Sequence, residues 1–259
     1  GLYVVADGMG GHLAGEVASR VAVEMIFKSF RKWTANETSR EHLFAPPDDS
    51  LSLNGNYILS SIKLANRVVY ELAMQYEQYH GMGTTIAALH VTPSIIVVAN
   101  VGDSRIYLVR DGALERLSRD HTIVAEQVEL GVMNEEEAAN SPLKHILTRN
   151  LGSAEDAEPD VFELAPSNND RFILCSDGLT DLLSDDEILE MTRDVEEPEE
   201  LCRRFLEKVL KRGAHDNTTV ITVFLSDVKG AGEGILHRIG GLFADVVIGF
   251  QKAIKKIKP

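Results

Sequence analysis

Apolar residues along the chain follow two periods, one suited to strands and one to helices. Residues 2–6 (LYVVA) form a short apolar run that stops at Asp7-Gly8, the pattern of a buried strand. Over 14–33, Val17, Val21, Met25, Phe30 and Trp33 recur at helical spacing. A second helical face follows, made of Ile58, Ile62, Ala65, Val69, Leu72 and Tyr76; the stretch 46–56 before it is loop by composition. Both helices are amphipathic, which predicts that each covers one face of a sheet. Three strand runs come next, at 85–91, 95–101 and 105–109. Short turns separate them, so sequential runs are expected to pair as antiparallel neighbours. Asp111-Gly112 fits a hairpin turn.

The stretch 119–160 is polar and irregular, with one helical segment around 123–139. A segment of that length without strand signals is expected to be a functional flap. A strand at 171–176 ends in Asp177-Gly178, a helix over 198–212 has Pro198 at its start and Gly213 after its end, and 218–225 is a further strand. Helices and strands are grouped, not strictly alternating, which predicts an α+β fold over a doubly wound parallel sheet.

The formal charge of −14 argues against a nucleic-acid partner, which needs a basic face, and suits acidic clusters that hold cations. Cys175 and Cys202 are the only cysteines, too few for a disulfide framework or a thiolate zinc site, which predicts a reducing, cytoplasmic setting. No stretch approaches the ~20 apolar residues of a spanning helix. The chain opens at Gly1 inside a strand, so upstream residues are expected to be missing from it.

Asp7 and Asp177 share one design, an apolar strand running directly into Asp-Gly. Asp103 follows Val101-Gly102 at another strand end, and Asp216 precedes the strand at 218. A carboxylate at a strand end projects from the sheet edge, and the following Gly lets backbone approach a ligand. Any one Asp-Gly pair is ordinary turn chemistry. Four such carboxylates gathered at one edge would repel one another unless a hard cation neutralised them, and oxygen-only ligands suit magnesium or manganese.

Asp7-Gly8-Met9-Gly10-Gly11-His12, Gly83-Thr84-Thr85, Val101-Gly102-Asp103-Ser104-Arg105, Ser176-Asp177-Gly178-Leu179 and Asp216-Asn217-Thr218-Thr219 occur in one order and spacing. In these the chain resembles, over residues 1 to about 227, the metal-dependent protein phosphatases of type 2C, bacterial branch. The resemblance implies two packed antiparallel β-sheets flanked by helix pairs, with the metals in a cleft at one end. It implies that Asp7 bridges two magnesium or manganese ions and that Gly8 offers its carbonyl to one of them. Asp177 and Asp216 would complete the site, and Asp103 with Asp177 would hold a weaker third ion. A water made acidic by the cations would attack phosphorus in phosphoserine or phosphothreonine on proteins, with no residue nucleophile. Phosphoprotein substrates, a Ser/Thr kinase as counterpart, and a monomer are the implied partners and state.

Several features depart from that pattern. Met9 stands where animal members carry a His proposed as general acid, so the acid is unidentified. His12 is nearby and fits a structural role in a Gly-rich turn. His121 and His145 are expected at the surface or against substrate. The family's phosphate-binding Arg lies upstream of the strand that begins here. A covalent aspartyl-phosphate route needs Asp-x-Asp after the first strand, which Asp7-Gly8-Met9 does not provide. An inactive phosphoprotein-binding module with the same fold is the alternative from another class. Three regions are expected: the phosphatase domain at 1–227, a Gly-rich linker at 228–234, and a basic amphipathic tail at 235–259. The tail places Ile235, Ile239, Leu242, Val246, Phe250 and Ile254 at helical spacing, with five Lys or Arg against the single Asp245, suited to a membrane surface, a partner or the acidic domain.

Overall fold

The computed structural model describes residues 1–226 and 228, and the backbone alone of 244–251. The chain begins with β1 (Leu2–Val5), the short β2 (Gly8–Met9) and the long helices α1 (His12–Ala35) and α2 (Leu53–Gln75). Strands β3 (Gly83–Thr84), β4 (Ile86–Val91), β5 (Ile96–Val101), β6 (Arg105–Arg110) and β7 (Ala113–Arg116) follow. The flap carries α3 (Ile123–Glu129) and α4 (Glu135–Asn140). After it come β8 (Asp160–Leu164), β9 (Arg171–Cys175), α5 (Asp177–Thr180), α6 (Asp185–Arg193), α7 (Pro198–Lys211), β10 (Thr218–Leu225) and β11 (Ala244–Gln251).

One sheet has the order β1-β4-β5-β8 and the other β11-β10-β9-β6-β7, with every pairing antiparallel. Side-chain alternation then sorts each strand between two cores. Ala87, Leu89 and Val91 of β4 face Ile106, Leu108, Phe172, Leu174, Ile221 and Val223 of the second sheet. Ile86 and Ala88 point the other way, onto Ala18, Ile26, Ile58 and Ile62 of α1 and α2. Tyr107, Ile173, Cys175 and Val220 pack beneath Leu179, Ile188, Leu201 and Phe205 of the C-terminal helices. The result is the expected sandwich of two antiparallel sheets between helical layers. Strands buried on both faces explain why these segments read as continuous apolar runs.

The helix termini follow from local chemistry. The Ser52 hydroxyl caps α2 by accepting from Gly55 N (3.2 Å) and itself donates to Glu163 Oε1 (2.6 Å), which ties the helix to β8. Ser184 and Glu187 form a reciprocal capping box on α6, and Pro198 opens α7.

Three expectations needed correction. β4 and β5 are neighbours, but β6 does not pair with β5: the turn 102–104 carries the chain from one sheet to the other. Gly102 has φ +100°, and a Cβ there would stand 2.7 Å from Thr85 Cγ2, so the turn bends by a route open to glycine alone. Strand β8 was not anticipated, because its alternating DVFEL is half-exposed and lacks an apolar run. The helix expected across 235–259 is not found at 244–251, where the backbone forms β11 against β10. Val246, Val247 and Ile248 are β-branched, and the open edge of β10 offers hydrogen bonds that a lone helix does not. The remainder of the tail and most of the linker lie outside the described residues. Among the described residues no helix is long and apolar enough to cross a membrane.

Phe172 is fully buried in the layer between the sheets. Phe172→Ala is expected to cost about 3–5 kcal/mol, read as a lower urea midpoint with an unchanged m-value.

Candidate metal centre

Strand direction alone brings the four aspartates together. β1 and β5 both run antiparallel to β4, so Asp7 and Asp103 emerge at the same end of the first sheet. β9 ends where β6 begins, since Arg105 pairs with Cys175, and β10 starts beside the end of β9. Asp177 and Asp216 therefore emerge at that same end from the second sheet.

A polar network fixes these strand ends. The Thr85 hydroxyl accepts from Asp7 N (2.9 Å) and shares a hydrogen bond with Ser104 Oγ (2.7 Å). Thr84 Oγ1 and Thr85 N both donate to the Asp7 carbonyl at 2.9 Å. The Gly-Thr-Thr motif is thus the bridge between Asp7 and the Asp103 turn, with Thr84, Thr85 and Ser104 all buried. On the second sheet, Ser176 Oγ donates to Asn217 O (3.3 Å) and accepts from Thr219 N (3.1 Å). That ties the Asp177 and Asp216 loops together. A Cβ at Gly8 would stand 1.9 Å from the Gly15 carbonyl, so the backbone after Asp7 packs directly on α1.

Crowding of like charges marks the site. Burial first, then the nearby Asp177, Asp216 and Asp103 carboxylates, push Asp7 up to about 7. Asp103 is pushed up to about 7 by burial, then by Asp177 and Asp120. Asp177 is raised by burial, then by Asp181 and Asp216, with His145 opposing. Asp177 Oδ1 is buried with no hydrogen-bond partner. An orphaned carboxylate oxygen beside three other carboxylates fits a hard divalent cation. Asp103, His145 and Asp177 also present one ligand atom each, all within 4.8 Å of one another.

The structure gathers all four predicted aspartates, with Gly8 beside them. It separates the two histidines expected at the surface. His145 is half-exposed, its Nδ1 3.7 Å from Asp177 Oδ2, while Lys144 Nζ beside it bonds Asp181 Oδ1 (3.1 Å). His121 is instead buried. It lies against the Asp103 turn, a place invisible in sequence because the pairing partner is Gly102, 19 positions away. The side chain of His12 lies outside the described residues. Sequence reasoning also passed over Asp120, which holds the Arg105 guanidinium through Nε (3.0 Å) and Nη2 (2.6 Å). Its signal was the Arg opening an apolar strand two residues after Asp103, half-buried in the structure, a charge that calls for a carboxylate.

Residues 1–220 match the family described as Protein phosphatase 2C. The chain is 35% identical over 222 residues to the serine/threonine phosphatase stp of Listeria monocytogenes, covering 86% of this chain and 83% of that one. In structure it resembles the Mycobacterium tuberculosis serine/threonine phosphatase PstP with a TM-score of 0.73, at 32% identity over 87% of this chain and 88% of the other. The catalytic domain of PstP in complex with two manganese ions superposes with a TM-score of 0.72, at 31% identity over 87% and 88%. With the five motifs converging on one end of the sandwich and these likenesses running through nearly all of the described fold, the chain belongs to the protein phosphatase 2C family.

Proposed function

We propose that Asp7, Gly8, Asp103, Asp177 and Asp216 form the metal centre of this chain, which is a metal-dependent protein serine/threonine phosphatase acting on phosphoproteins. The observation that carries the assignment is the buried, unpartnered Asp177 oxygen amid carboxylates whose protons are held up to about neutral pH. Asp7, Asp177 and Asp216 with the Gly8 carbonyl would hold two magnesium or manganese ions, and Asp103 with Asp177 a weaker third. Bound there, the ions supply an acidified water as nucleophile and neutralise the phosphoryl oxygens.

The residues themselves position and exclude. Thr84 and Thr85 lock the Asp7 backbone, and Ser176 locks the Asp177 and Asp216 loops, so the ligand oxygens need little reorganisation when metal arrives. Met9 is exposed beside the site and carries no proton to donate. The leaving group's proton therefore comes from elsewhere, and half-exposed His145 of the flap stands 3.7 Å from Asp177 Oδ2. No observation favours the inactive binding module. We further propose that the chain works as a cytoplasmic monomer that reverses a Ser/Thr kinase. The buried thiols of Cys175 and Cys202 suit that reducing compartment. Contact of the basic 235–259 tail with a membrane surface is part of the same proposal, supported by its charge.

Asp177→Ala or Asp216→Ala is expected to lower manganese-dependent hydrolysis of p-nitrophenyl phosphate by roughly a hundredfold or more, while circular dichroism shows the fold retained. Near-normal turnover by either variant would remove that residue from the centre.

Activity is expected to vanish with EDTA and return with manganese or magnesium, because the ligands are hard oxygens. Persistence of full turnover after thorough chelation would contradict metal dependence.

The raised carboxylates set a pH dependence of stability. Asp7 and Asp103 bind protons more tightly folded than unfolded, so their contribution is fully present below about pH 4 and is lost as pH rises through about 7. The Tm of EDTA-treated protein is expected to fall between pH 5 and pH 8. Manganese should raise Tm more at pH 8 than at pH 6, since binding must expel those protons. A pH-independent manganese shift would show that these carboxylates do not receive the ion.

A further inference from the structure

His121 is only 1% exposed and joins three segments. Its Nδ1 accepts from Gly102 N (3.1 Å), which makes Nε2 the protonated nitrogen, and Nε2 donates to Asp160 Oδ2 (3.1 Å). Its backbone N donates to the Gly102 carbonyl (3.0 Å), and its carbonyl accepts from Thr148 N (2.9 Å). Residue 102 is therefore held twice by residue 121, immediately before Asp103. On the other side, Ile123 N donates to Ile146 O (3.0 Å), and Arg149 Nη1 reaches Asp160 Oδ1 (3.0 Å). The two stems of the flap, 119–123 and 146–149, meet at this ring.

A buried histidine with both nitrogens bonded is often only a satisfied core residue. Two facts set this one apart. The turn it grips passes through Gly102 at φ +100°, where a Cβ would stand 2.7 Å from Thr85 Cγ2, so the backbone there is closely packed. The carboxylate it orients, Asp160, is the same one that receives the outgoing flap stem through Arg149. The ring is thus a side-chain link from that stem to Gly102, alongside the backbone bonds of residue 121 and of Asn100.

We infer that His121 is a positioning residue that couples the flap stems to Asp103, so that flap position sets how tightly Asp103 takes its cation. This rests on Asp103 belonging to the metal centre. The two halves of the ring can be separated by substitution. Asn carries an acceptor near the place of Nδ1, and Gln carries a donor near the place of Nε2.

The experiment is manganese calorimetry on the substrate-free protein, paired with amide hydrogen exchange. His121→Asn, which releases Asp160 but keeps the hold on Gly102, is expected to exchange faster over 145–149 and to bind its weakest manganese ion less tightly than wild type; faster exchange with unchanged manganese affinity would overturn the coupling. His121→Gln is expected to keep that protection while its weakest manganese site loses about tenfold in affinity, the scale for groups that orient a ligand. Equal loss of Tm in both variants, with wild-type manganese binding and wild-type exchange, would reduce His121 to a packing residue and overturn the coupling. Asp160→Ala keeps the test decisive where a variant at 121 does not fold, since Asp160 lies half-open to solvent. Faster exchange at 102–104 as well as 145–149 supports the coupling, and unchanged exchange at 102–104 overturns it. Asp177→Ala serves as the control for the metal centre. If it bound manganese like wild type, the centre would be misassigned, while the exchange data would still judge the tie.

Discussion

The repulsion among Asp7, Asp103 and Asp177 is the constraint from which the rest of the molecule follows. Burying carboxylates within reach of one another is unfavourable, and the chain does so at the end of a sandwich where three of them are raised. A loose scaffold would let the strand ends splay and relieve the strain. This one cannot, because Thr84, Thr85 and Ser104 knit the first sheet's end and Ser176 the second's. Above the pH at which those protons leave, a cation then becomes the way to neutralise the cluster.

Rigidity at that end is inherited from the cores. Each of β4, β5, β6, β9 and β10 is packed on both faces, so a strand end moves only if two cores yield. The flap has no such support. The loop between its helices α3 and α4 presents Leu130 and Val132 to solvent, and α4 buries no residue. Contact with the body comes through hydrogen bonds and ion pairs at its stems and at Lys144. Such an element is of low local stability, which suits a segment that must admit a protein-sized substrate.

The fold class and the four aspartates were legible because each depends on a local pattern: an apolar run, a period, an Asp at its end. What escaped depends on where the chain goes next. Nothing local to Val101-Gly102-Asp103-Ser104 says that β6 joins the other sheet, because a short turn between two apolar runs looks like a hairpin. The reason lies in Thr85, whose hydroxyl and methyl meet Ser104 and Gly102. His121 was misjudged on the same ground. A polar neighbourhood in sequence suggested the surface, whereas its burial is dictated by Gly102 and Asp160, both distant along the chain. Strand β8 was missed because its residues are only partly buried and form no continuous apolar run, and 244–251 because its apolar spacing satisfies both a helix and a strand until β10 offers an edge.

The chain carries −14, and a phosphorylated side chain adds about −1.5 to −2 at neutral pH. Without cations, the cleft is acidic on every ligand-bearing strand end, with Lys144 already paired to Asp181. Long-range electrostatics would then steer phosphoproteins away from the site. Cations held by the proposed centre would offset that charge, so the same ions that enable the chemistry would also create the affinity for the phosphoryl group. Binding and catalysis would then not be separable contributions: on the proposed assignment, a carboxylate lost from the cluster would weaken the hold on the cation and, through it, both substrate capture and the attack on phosphorus.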